Sequence, residues 1–134
     1  MTDYEAVIEI LKAESSVTDL TAKMVNQDGT TSSQEAILFG DLPEAQNIYP
    51  AISVRQGTAD KLNGIETRFL IVDCWAETMT ESVQLGEAVD ELFTDSFATA
   101  SAYAFKSSSD IIGTVSDGVY NNTAVNIRVF YIRR

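Results

Sequence analysis

The run from Ile65 to Trp75 constrains the fold more than any other part of the chain. Phe69, Leu70, Ile71, Val72, Cys74 and Trp75 make it nearly continuously apolar. A strand with one solvated face alternates cleanly, so this one reads as a central strand buried on both faces over part of its length. A helix start follows almost at once: Thr78 and Glu81 have the spacing of a capping box. The helix behind them is expected to run to about Phe97, with Leu85, Val89, Leu92 and Phe93 as its apolar seam, joined by Gly86 and Phe97. Glycine inside a helix costs about 1 kcal/mol relative to alanine, a cost that close approach to the sheet would offset. The other side of the helix carries Glu77, Glu81, Glu87, Asp90, Glu91 and Asp95, with no base among them. Trp75 and Phe93 are expected to be buried where the strand's end packs on the helix.

The flanking segments supply the rest of the sheet and its cover. Thr2 and Glu5 form a second capping box, opening a helix with Tyr4, Val7, Ile8 and Leu11 on one face. A short helical segment through Val17, Leu20 and Met24, ending at Val25, should follow. Asn26 to Ser33 is polar and contains the Asp28-Gly29 turn pair, so a flexible loop is expected around 26–35. Ala36 to Phe39 is a short apolar run ended by Gly40. Pro50 pushes Tyr49 toward extended geometry, and Ala51 to Gln56 alternates. Asn63-Gly64 is a strong hairpin signal. Ala102 to Phe105, Ile111 to Gly113 and finally Ala124 to Ile132 read as strand. The sum is an α+β fold: a mostly antiparallel sheet, with an N-terminal helix and one long amphipathic helix packed on one face. Residues 1–134 make a single domain.

Chemistry is harder to find. The chain has no histidine and one cysteine, which excludes the usual zinc sites and any Cys–His nucleophile pair. Cys74, in the most apolar stretch, reads as a buried thiol acting as a small hydrophobe. Asp73 beside it reads as an acid satisfied by neighbours. The glycine-rich phosphate cradles of nucleotide-binding folds are missing from the sequence. No catalytic residue, metal or cofactor is therefore expected, and the chain is not read as an enzyme. Twenty acids against nine bases give a net charge of −11, which disfavours sequence-specific nucleic-acid binding and an anionic membrane surface. No apolar run reaches the roughly 20 residues of a membrane span, and the start lacks a secretory pattern. Synthesis and folding in a cytoplasm are expected.

The charges are segregated. Arg128, Arg133 and Arg134 lie in an acid-free terminal segment, whereas Glu87, Asp90 and Glu91 lie on the long helix. The two groups could pair within one subunit, or a basic edge of one subunit could meet a neighbour's acidic face. Both readings stand at this point. The terminal strand, long and apolar, is read as a sheet edge open to a partner.

Several stretches together resemble the tail-terminator and tail-completion proteins of long-tailed bacteriophages. They are the N-terminal helix with Tyr4, Val7, Ile8 and Leu11, the polar excursion from Asn26 to Ser33, and Tyr49-Pro50-Ala51-Ile52-Ser53-Val54 entering the sheet. Phe69-Leu70-Ile71-Val72-Asp73-Cys74-Trp75-Ala76 then runs into the amphipathic helix, and Val125-Asn126-Ile127-Arg128-Val129-Phe130-Tyr131-Ile132 closes the chain. The resemblance is one of order and texture over most of the chain. It implies a homo-hexameric ring at the head-proximal end of the tail in the virion, assembled in the host cytoplasm. Such a ring ends polymerisation of the major tail tube protein and gives the head-tail connector its docking surface. Arg128, Arg133, Arg134, Glu87, Asp90 and Glu91 would then be subunit-interface candidates. Another head–tail connector or neck protein is the nearest alternative, and a small cytoplasmic binding domain is the reading from a different class.

Overall fold

The computed structural model describes residues 3–26, 28–40, 48–62, 65–94, 96–100, 103–116 and 120–131. Its elements are α1 (Asp3–Ala13), α2 (Ser15–Thr18), β1 (Lys23–Val25), β2 (Thr31–Glu35), β3 (Ile37–Phe39), β4 (Ala51–Leu62), β5 (Ile65–Ala76), α3 (Met79–Phe93), β6 (Ser96–Ala100), β7 (Tyr103–Ser116) and β8 (Asn121–Tyr131). Six strands form one sheet in the order β3-β4-β5-β8-β7-β6, and β1 with β2 forms a separate ribbon. Every pairing is antiparallel except β3 with β4.

Register explains which side of the sheet became the core. Val72 lies opposite Val54 on β4 and Val125 on β8, and Cys74 lies opposite Ile52 and Thr123. These residues, with Leu70 and Ile127, share one face and are fully or almost fully buried. Val7 and Leu11 of α1, Val17 of α2, and Leu85, Val89 and Phe93 of α3 complete the same cluster. All the helices therefore cover one face, and the α+β architecture with a mostly antiparallel sheet is as the sequence implies.

Two close contacts hold α3 in place. The Thr78 hydroxyl accepts the Glu81 backbone N–H at 3.2 Å and donates to Glu81 Oε1 at 2.9 Å, so the capping residues engage each other. Gly86 lies on β8: a Cβ placed there would be 2.4 Å from Thr123 Cγ2. Glycine lets the helix backbone approach the strand, which is the compensation its position required.

Elsewhere the structure departs from the sequence reading. α2 ends at Thr18, and Met24 belongs to β1. The stretch read as a loop is a hairpin, with Lys23 opposite Glu35 and Val25 opposite Thr31. Its polar residues carry no period-two signal because neither strand of the ribbon buries a face. Side chains tie it instead: Thr21 Oγ donates to Glu35 Oε2 at 2.8 Å, and Lys23 pairs with Glu35. Burial pushes the Glu35 carboxyl up, but Lys23 and Thr21 outweigh it and leave the group below its ordinary range. At the turn, Asp28 Oδ1 accepts from the Thr30 backbone N–H at 3.0 Å.

α3 stops at Phe93, and Phe97 lies in β6. Thr94 turns extended there, its hydroxyl bonding the Asp90 carbonyl at 2.6 Å. The segments around Phe105 and Ile111 are one strand, β7, with an irregularity in register between Ile111 and Gly113. β8 is not an edge: it pairs with β5 on one side and β7 on the other. Strand length and apolarity reported burial correctly but could not report neighbours. Thr2, Asn63-Gly64, Asp95, Arg133 and Arg134 lie outside the described residues.

Candidate assembly surfaces

Alternation along β5 and β8 gives the sheet a second face, on the side away from the helices. Ser53, Arg55, Phe69, Ile71, Asp73, Trp75, Asn122, Ala124, Asn126 and Arg128 occupy it by register. Trp75 is among them, so it is only partly buried and points away from α3, whereas Phe93 is fully buried. The reason is parity: Cys74 and Ala76 take the core positions, and Trp75 between them cannot.

This face has its own polar order. Asp73 is 4% exposed although it sits on an apolar strand. Arg55 Nε donates to its Oδ2 at 2.7 Å, and Asn122 Nδ2 to its Oδ1 at 3.1 Å. Asp73 is thus an acid satisfied by its neighbours. Trp75 Nε1 donates to Ser53 Oγ at 3.0 Å. Arg128 is exposed, with its guanidinium 5.3 Å from the centroid of the Phe69 ring, within cation–π range. Because Trp75 packs only in part, Trp75→Ala is expected to cost about 1–2 kcal/mol, below the roughly 3–5 kcal/mol of a fully buried tryptophan. Urea denaturation measures it, and a loss above 3 kcal/mol would contradict this placement.

The acidic candidates lie on the opposite side of the molecule. Glu77, Glu81, Glu87 and Glu91 are exposed on or just before α3. Asp90 is half-buried and committed internally: Ser109 Oγ donates to its Oδ1 at 2.6 Å and lies 2.9 Å from its carbonyl, tying α3 to β7. Arg128 and the α3 acids are therefore separated by the sheet. Arg128 therefore does not pair with them within one subunit, one of the two readings left open by the sequence, and Arg133 and Arg134, the other arginines of that reading, lie outside the described residues.

Cys74 is buried, and desolvation, then the charge of Asp73, pushes its thiol far above the usual range. No group of three or more His, Cys, Asp or Glu that could hold a metal occurs among the described residues. No helix among them is long and apolar enough to cross a membrane.

Sequence reasoning missed the Phe69–Arg128 contact and the exposed apolar residues of β7. Ile112 and Val115 are 61% and 71% exposed. The Ile111-Ile112-Gly113 run holds the cue, because two adjacent isoleucines cannot both face the core of a regular strand.

No protein-family model and no curated protein matches the chain. Among solved structures, it is similar to a chain in the virion of a native gene transfer agent particle. The TM-score is 0.60 at 13% identity, covering 96% of this chain and 93% of that chain. The likeness is one of fold, and it extends over nearly all of both chains. The fold is thus one that occurs in a virion.

Proposed function

We propose that the chain is a structural protein of a tailed virion, without catalysis. Copies of it close into a ring, about six as the family resemblance implies, at the head-proximal end of the tail tube. The ring ends polymerisation of the major tail tube protein and presents a docking surface to the head-tail connector. The observation that carries this reading is the end-to-end likeness to a virion component. The order of segments that resembles the tail-terminator family supports the finer assignment. A subunit whose opposite faces carry unlike chemistry, acids on one and an ordered arginine on the other, suits self-assembly.

The test is direct imaging. Purified chain mixed with tail tube protein and viewed in negative stain is expected to give rings seated on one end of each tube. Rings that bind the connector and ignore tubes would move the chain to a neck layer. A chain that stays monomeric with either protein would remove the reading.

A further inference from the structure

We propose that the helix-free face of the sheet is the seat for α3 of a neighbouring copy of the same chain. This rests on the self-assembly proposed above and assigns the faces that meet.

The face is unlike a solvated one. An antiparallel sheet facing water normally carries polar residues there, yet Phe69, Ile71 and Trp75 lie on this side and are only part-buried. Val115, opposite Asn122, is 71% exposed. The buried residues of α1, α2 and α3 all belong to the cluster on the other face. Tryptophan, phenylalanine and arginine are enriched where protein interfaces are most buried.

Charge decides the occupant. Arg128 projects from this patch, steadied by Phe69, and among the described residues it forms no ion pair. Of the acids that register places on the face, Asp73 is taken up by Arg55 and Asn122, Asp110 sits at its β7 margin opposite Asn126, and Asp60 lies opposite Thr67 toward the far end of β4. The complementary surface is α3: Glu87 and Glu91, one helical turn apart, are both exposed, and the helix contains no base. Like charges at that spacing repel mildly, and a cation from outside relieves them. Since the sheet separates Arg128 from these acids within a subunit, they can meet only between copies. An interface joining two different faces is head-to-tail, and repetition closes it into a ring when the rotation allows.

Charge exchange tests the assignment, with assembly read by sedimentation velocity across micromolar concentrations. Arg128→Glu, and separately Glu87→Lys with Glu91→Lys, are each expected to weaken association about tenfold. All three positions are exposed, so circular dichroism should show intact folds. Mixing the two variants is expected to restore assembly. Each then offers its unaltered face to the other, and the two altered faces are again opposite in charge. Variants that assemble as the wild type does would overturn the interface while leaving the ring reading standing. Self-assembly that persists in Arg128→Glu, with loss of binding to tube or connector, would give the face to that partner instead. A wild-type chain that stays monomeric even with tube protein would overturn both.

Discussion

Phe93→Ala is expected to lower the free energy of unfolding by about 3–5 kcal/mol. Phe93 is the last residue of α3 and is fully buried, in a cluster with residues of α1, β5 and β8. Its carbonyl also accepts from Ser107 Oγ of β7 at 3.0 Å, so the ring and the backbone fix the same corner. Truncation leaves a cavity that three elements would have to collapse together to fill. A domain of this length has a total stability of roughly 7–20 kcal/mol, so the loss is a large share. Urea denaturation with an unchanged m-value would confirm it. A loss under 1.5 kcal/mol would mean that α3 does not pack as described.

Gly86→Val should cost about 3 kcal/mol, by crowding where Phe93→Ala acts by a void. The added side chain would run into the Thr123 methyl, and Thr123 cannot rotate away freely. Its hydroxyl lies 2.6 Å from Ser82 Oγ and 2.9 Å from Thr114 Oγ. Gly86→Ala is the milder case, because alanine regains about 1 kcal/mol of helix propensity. Thr123→Ser removes the methyl and keeps the hydroxyl, so Gly86→Ala with Thr123→Ser is expected to be more stable than Gly86→Ala alone. A positive coupling of about 1 kcal/mol in that double-mutant cycle would locate the clash. Additivity would contradict it.

What could be read from sequence divides along physical lines. β5, α3 and the core residues Leu85, Val89 and Phe93 were legible because burial writes a period into the chain. Gly86 was legible because its cost demanded a reason. The β1–β2 hairpin was not, since a ribbon solvated on both sides leaves no period and is held by Lys23, Thr21 and Glu35. Trp75 shows a second limit. In a nearly continuous apolar run, either parity can face the helices, and only the register with Val54 and Val125 selects Cys74. β8 shows a third: the position of a strand in a sheet is a tertiary fact. The charge segregation was visible in the sequence, yet its meaning depended on which face Arg128 takes. That face keeps Arg128 from the acids of its own α3, and contact between copies is the proposal that follows.

The central claim is that the chain caps a tube, and tail length measures this most directly. Particles made without the chain, imaged in negative stain, are expected to show tails of broadly scattered and excessive length that lack heads. Wild-type chain supplied in trans should restore a single length and head attachment. Tails of normal, uniform length in its absence would contradict the account.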